Sequence, residues 1–159
     1  MKLIFLDVDG ILNNTQNIKK YRLFFRGKRR LLVDVKPFYC FKKLLKEIEK
    51  NNMDVKIVIS SSWRVGSIPA DWKKLFKHYF DNPEIVKGRT PYLYKDRGIE
   101  ILELLKIAKE KGDMIDDYIV LDDDIEDIIN HINPNKVIKI NRRYGLTSRD
   151  IEQILKKLE

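Results

Sequence analysis

Two aspartates, Asp7 and Asp9, stand directly behind the apolar run Leu3–Leu6, and Gly10 follows them. Paired carboxylates at that spacing can divide the work of a displacement, one attacking or binding a cation while the other gives and takes a proton. The glycine lets the chain turn sharply after the run. An Asp-Xaa-Asp-Gly stretch is also a common solvated turn, so its meaning depends on its company. Ile57-Val-Ile is followed by Ser60, Ser61 and Ser62, then Trp63 and Arg64. Hydroxyls at a strand end can donate to phosphate oxygens, although at least one serine in such a row ordinarily caps a helix or forms a turn. Arg64 could reach a phosphate or sit in a surface salt bridge. Lys95 and Arg97 precede a helical stretch at Gly98 and offer a cation for a phosphoryl group, or a plain surface charge. Finally, Tyr118–Leu121 leads into Asp122, Asp123, Asp124, Glu126 and Asp127. Mutual repulsion in that cluster destabilises the fold unless a cation compensates. Helix capping accounts for Asp124 or Glu126; the whole cluster suits a hard divalent cation with oxygen ligands, magnesium above all.

The elements that must position these groups follow from hydrophobic spacing. Leu3–Leu6, Val55–Ile59, Tyr118–Leu121 and Val137–Ile140 are apolar runs of buried-strand length. Between them, Pro37–Asn51, Asp71–Phe80, Gly98–Lys111 and Ser148–Leu158 carry apolar residues at helical spacing. Strands alternating with helices predict an α/β fold in three layers, a parallel sheet with helices on both faces. Right-handed crossovers bring the C-terminal strand ends to one edge, where open sheets bind ligands. The exception is Tyr21–Val35, in which β-prone runs flank Arg26, Gly27, Lys28 and Arg29, predicting a hairpin. Between Lys19 and Lys36 eight basic residues face Asp34 alone, so this segment holds nearly all of the chain's net charge of +8.

The composition, 43% hydrophobic and 35% charged, fits a folded globular chain. At 159 residues, without repeats or a Pro/Gly/Ser-rich linker, one domain over 1–159 is expected. Cys40 is the only cysteine, which rules out an internal disulfide and a cysteine cluster for zinc or iron–sulfur. With four apolar residues before Asp7, the start reads neither as a signal peptide nor as a membrane span, and a cytoplasmic protein with no membrane partner is expected. His78 and His131 read as packing or surface residues, and Trp63 and Trp72 as core in preference to base-stacking residues. A phospho-receiver domain is excluded by order, since its acidic pair follows the first strand and its phosphorylated aspartate comes later. A dinucleotide-binding domain is excluded because no Gly-Xaa-Gly-Xaa-Xaa-Gly follows any strand.

In order, Asp-Xaa-Asp, a strand-end serine, Lys/Arg and an acidic pair resemble the four motifs of the haloacid dehalogenase superfamily. Phe5-Leu-Asp-Val-Asp-Gly-Ile-Leu-Asn13, Ile59-Ser-Ser-Ser-Trp-Arg64, Arg97-Gly-Ile-Glu-Ile101, Leu121-Asp-Asp-Asp124 and Gly145-Leu-Thr147 look like the small branch of that superfamily found in RNA-repair multidomain proteins. The resemblance implies a magnesium-dependent phosphatase with a Rossmann-like sheet. It makes Asp7 the nucleophile that becomes an aspartyl phosphate, and Asp9 the acid/base, whose presence points to phosphoryl transfer and not dehalogenation. Ser60 best matches the second motif, with Ser61 the alternative; Arg97 best matches the third, with Lys95 the alternative. Magnesium would be held by Asp7, Asp9, Asp122, Asp123 and Asp127, Asp123 foremost, while Ser60 and Arg97 stabilise the phosphoryl oxygens.

Relatives with a cap domain insert it after the first motif or between the second and third. Here a hairpin flap over about 19–36 and ordinary connecting helices fill those gaps, so an open site without a large cap is expected. An open site admits a polymer end, and Arg26, Lys28, Arg29 and Arg30 would attract a phosphate backbone. The leading substrate is therefore a terminal phosphate of RNA or DNA, such as a 3′-phosphate, with a free nucleotide next; a small phosphorylated metabolite or a phosphoprotein is also compatible. The reading from a different class is a non-catalytic nucleic-acid-binding module with vestigial acids, disfavoured because both first-motif carboxylates are present. Nothing in the sequence sets the oligomeric state.

Overall fold

The computed structural model describes residues 1–14, 20–25 and 29–159, with the strands flanking the hairpin turn described through their backbone. In chain order the elements are β1 (Lys2–Leu6), β2 (Lys20–Phe25), β3 (Arg29–Asp34), α1 (Val35–Lys50), β4 (Val55–Ile59), α2 (Pro69–Phe80), β5 (Val86–Arg89), α3 (Arg97–Glu110), β6 (Asp117–Asp122), α4 (Glu126–Ile129), β7 (Val137–Lys139) and α5 (Ser148–Leu158). Five strands form a parallel sheet in the order β5-β4-β1-β6-β7, and β2 and β3 form a separate antiparallel pair.

Alternation along β1 divides the interior into two layers. Ile4 and Leu6 join the larger core with Ile57, Ile59 and Leu121, and this face is covered by α1, α2 and α5 through Phe41, Leu44, Trp72, Phe76, Ile151 and Ile154. Phe41 and Phe76 meet edge to face at 5.9 Å, so α1 and α2 share one aromatic seam. Leu3, Phe5, Val58 and Val120 form the opposite layer, covered by Ile101 of α3 and by Ile128 and Ile132 in and after α4. The expected three-layer α/β architecture is the one observed.

The register places the motifs. Leu6 pairs with Ile59 of β4 and with Leu121 of β6, so the three central strands end level. Asp7, Ser60 and Asp122 therefore lie side by side. The chain moves outward from β1 to β4 and β5, then returns to β6 and β7 on the other side of β1. Asp7 and Asp122 consequently flank the point where strand order reverses, the usual ligand position of such sheets.

The hairpin leaves after the turn at residues 8–14 and returns through Asp34, whose N–H donates to the Leu12 carbonyl at 2.9 Å. Its pairing closes at Phe25 opposite Arg29. Lys19, Arg26, Gly27 and Lys28 lie outside the described residues, whereas Arg29 and Arg30 lie on the backbone of β3. The segments between motifs are thus occupied by this hairpin and α1, and by α2 and β5.

Candidate active site

Asp7 continues the line of β1, its N–H donating to the Leu121 carbonyl at 3.0 Å. The residue is 5% exposed. One oxygen, Oδ1, accepts from the Val8 N–H at 2.7 Å, and the other lies 3.2 Å from Arg97 Nη1. Burial raises the Asp7 pKa; the charge of Arg97 and the hydroxyl of Ser61 act against that rise.

Asp9 is held at the mouth of the site and is exposed. Its Oδ1 accepts from Asn13 Nδ2 at 2.9 Å and its Oδ2 from the Trp63 indole N–H at 3.1 Å. Asn13 also accepts the Gly10 N–H at 2.8 Å, closing the turn on itself. Trp63 therefore does more than fill the core: it packs against the larger hydrophobic layer and orients Asp9.

After β4 the structure separates the two candidate serines. The Ser60 N–H still pairs with the Leu6 carbonyl at 2.8 Å, and its hydroxyl is fully buried without a hydrogen-bond partner among the described residues. It is Ser61 that meets Asp7. The expectation for Arg64 is corrected: it is 4% exposed and its guanidinium is committed to the Glu100 carboxylate and to the Ser61 carbonyl, the latter at 2.8 Å. A buried guanidinium needs such a partner, and that commitment takes Arg64 out of the set facing a substrate.

Between the two candidate cations the geometry selects Arg97. It opens α3 and reaches Asp122 at 2.5 Å as well as Asp7, while Lys95 is exposed on the preceding loop. Burial would lower the Arg97 pKa, but the charges of Asp122 and Asp7 outweigh it and raise the value, keeping the guanidinium charged. Gly98 lets α3 come this close: a Cβ there would stand 2.9 Å from both the His131 Cβ and the Ile128 carbonyl oxygen.

Asp7, Asp122 and Asp123 each offer an oxygen within 4.8 Å of the others. Asp122, at the end of β6, is pushed up to about 7 by burial and by the charge of Asp7, with Arg97 opposing. Asp123 Oδ2 is buried and lies 3.1 Å from Arg142 Nε, in an ion pair that lacks hydrogen-bond geometry. Gly10, at φ +78, makes room for it, since a Cβ there would be 2.4 Å from Asp123 Cγ. Three carboxylates, Asp7, Asp122 and Asp123, thus share the two guanidiniums of Arg97 and Arg142, a set of oxygen donors that fits a hard divalent cation. Two expected ligands lie elsewhere. The Asp9 carboxylate is turned to Asn13 and Trp63, and Asp127 accepts the Arg97 N–H at 3.0 Å, where the start of α3 has free donors to satisfy. Arg142 was not anticipated; a cation just beyond the apolar run Val137–Ile140 was the available signal.

Strand-end carboxylates, a hydroxyl and an arginine at the reversal point of this five-stranded parallel sheet define a haloacid dehalogenase-like Rossmannoid domain. The model for the HAD domain in Swiss Army Knife RNA repair proteins matches residues 3–151, and the chain belongs to that family. No curated protein and no solved structure matches the chain. Among the described residues no helix is long and apolar enough to cross a membrane.

Proposed function

We propose that this domain is a magnesium-dependent phosphomonoesterase that works through an aspartyl phosphate on Asp7, acting on the terminal phosphate of RNA or DNA. The observation that carries the reading is the division of labour between the two first-motif carboxylates: Asp7 is buried and fixed beside Arg97, and Asp9 is held at the open mouth by Trp63 and Asn13.

Asp7, Asp122 and Asp123 would hold the cation. When bound, magnesium would offset the repulsion between the Asp7 carboxylate and an incoming phosphate. Each of the other steps belongs to the chain. The Val8 N–H fixes Asp7 Oδ1, so the carboxylate is positioned before substrate arrives. Attack forms the bond from an Asp7 oxygen to phosphorus as the bond to the leaving oxygen breaks, and that oxygen takes its proton from Asp9. Water then attacks the same phosphorus and gives a proton to Asp9 as the bond to Asp7 breaks, which restores the Asp7 carboxylate and the protonated Asp9 and releases inorganic phosphate. Arg97 and the Ser61 hydroxyl, both against Asp7, would stabilise the charge on the phosphoryl oxygens.

The substrate class is supported by the basic segment from Lys19 to Lys36 and by the family's description as a HAD domain in RNA repair proteins. The test is phosphate release from oligonucleotides bearing a 3′- or 5′-phosphate and from mononucleotides, with magnesium or EDTA. Asp7→Asn is nearly isosteric and is expected to abolish turnover with the fold intact. Release by Asp7→Asn at the native rate would overturn the mechanism, and faster release from mononucleotides than from oligonucleotides would overturn the substrate class.

A further inference from the structure

The loop between β5 and α3 carries two tyrosines that the proposed hydrolysis does not use. Tyr92 is 45% exposed and Tyr94 86%. Their ring centroids are 4.4 Å apart, with the planes inclined by 49°. The Arg64 guanidinium stands 5.5 Å from the Tyr92 centroid, a cation–π distance. Arg64 donates to the Ser61 carbonyl, and the Ser61 hydroxyl meets Asp7. Contacts therefore run outward without a break from Asp7 through Ser61, Arg64 and Tyr92 to Tyr94, which presents its ring to solvent. Tyr94 is also three residues before Arg97, so their Cα atoms are at most about 11 Å apart.

The backbone reinforces this. Tyr94 has φ +56, and the other described non-glycine residues with positive φ are Asn52 and Asp81, types whose short polar side chains tolerate that region. A bulky aromatic residue there is an outlier that persists because its surroundings hold it. Here the neighbouring Leu93 N–H is fixed by Glu100 Oε1 at 2.7 Å. Backbone strain and an unburied ring both work against stability, and both suit a surface built for recognition.

We infer that Tyr94, backed by Tyr92, is a stacking platform for a nucleobase of a single-stranded nucleic-acid end whose terminal phosphate sits at Asp7; the inference rests on the phosphatase reading above. Every base has a π-face, so such a platform serves a substrate recognised by its end and not by its sequence. Cations lie alongside for the backbone that follows. Lys95 is exposed next to Tyr94. A groove of about 600 Å³ opening beside Tyr92 is edged by Arg89 and Lys111, and by Lys87, which is paired with Asp113 at 2.9 Å.

The test needs no turnover. An unphosphorylated oligonucleotide with a terminal 2-aminopurine is titrated with protein, because stacking quenches that base. The native protein is expected to quench it, and Tyr94→Phe and Tyr94→Trp to retain the affinity. Tyr94→Ala and Tyr94→Asn, the latter suited to the left-handed backbone, are expected to weaken binding by roughly 5- to 150-fold, the loss of one base–aromatic stack. In parallel the KM for a phosphorylated oligonucleotide rises by the same factor, while hydrolysis of glycerol phosphate, which has no ring, is unchanged. Stacking lost in Tyr94→Ala without any phosphate release by the native protein would sink the phosphatase reading and leave the platform standing. Absence of quenching by the native protein, or native affinity in Tyr94→Ala, overturns the platform. So does self-association that Tyr94→Ala abolishes while oligonucleotide affinity stays constant, which would assign the rings to a second copy of the chain.

Discussion

Removing Arg64 is expected to be among the most damaging single changes outside the hydrophobic core. Arg64 and Glu100 are 4% and 1% exposed, and their side chains form a buried ion pair. Burial lowers the Arg64 pKa while Glu100 opposes that shift, which marks a charge kept inside by its partner. Arg64→Met keeps most of the stem and deletes the guanidinium. Glu100 is then left with the Leu93 N–H at 2.7 Å as its remaining donor among the described residues. Breaking one side of such a pair costs about 3–5 kcal/mol. With a urea slope of about 2 kcal/mol per molar, the unfolding midpoint falls by roughly 1.5–2.5 M. Adding Glu100→Gln removes the stranded charge yet keeps an oxygen for the Leu93 N–H, so the double variant should be more stable than Arg64→Met alone. The assay is urea unfolding followed by circular dichroism and tryptophan fluorescence, completed as a double-mutant cycle. A loss under about 0.5 kcal/mol for Arg64→Met, or no recovery on adding Glu100→Gln, would refute the reasoning.

Three further outcomes are expected. Gly10→Ala should weaken magnesium binding at least tenfold by titration calorimetry, because its Cβ would stand 2.4 Å from Asp123 Cγ; Gly112→Ala, at φ +83 with open space around it, should lower stability alone. In EDTA, stability should fall as pH rises from about 4 to about 7, since Asp122 sits at about 7 in the fold against roughly 3.9 when unfolded, so the folded state holds the extra proton; Asp122→Asn should flatten that slope, and urea midpoints across pH measure it. Neutralising Arg26, Lys28, Arg29 and Arg30 together should raise the KM for a phosphorylated oligonucleotide and reduce its salt dependence while sparing a small aryl phosphate; equal loss on both substrates would make the segment structural, and no change would make it a solvated face.

The sheet was largely legible because its central strands are continuous apolar runs, and a level ending of β1, β4 and β6 follows from parallel pairing. Strand β5 was not, since Val86-Lys-Gly-Arg89 has one apolar side chain and is made a strand by pairing with β4 at the sheet's edge. Helix α4 spans four residues, too few for any periodicity to register. Within the site, spacing fixed which strand ends would meet but not which side chains would face the ligand. Ser60 and Ser61 are adjacent, and only the observed pairing of Ser60 with Leu6 separates them. Arg64 looked available because its partner, Glu100, is 36 residues away and reaches it only once α3 has packed. Asp127 keeps the spacing of a metal ligand, yet the unsatisfied N–H of Arg97 claims it first.

The electrostatics of the site bear on whether its acids are active or vestigial. Asp7, Asp122 and Asp123 are brought together at the end of a buried sheet, and one arginine, Arg97, is shared between two of them. Asp122 pays for this by taking up a proton near neutrality. Acids crowded at this strand end oppose the approach of a polyanion except where Arg97 and Arg142 offset them, so a domain that bound nucleic acid through surface cations alone would have no use for the cluster. Nor would such a domain need Trp63 and Asn13 to hold the carboxylate of Asp9 at the mouth, since an exposed aspartate there opposes a polyanion. The arrangement would become favourable with a divalent cation among the carboxylates and, on the proposed reading, a phosphate monoester facing Asp7. On the proposed reading, Asp7 would be the fixed nucleophile and Asp9 the oriented acid, and it is phosphoryl transfer, not passive binding, that would call for both.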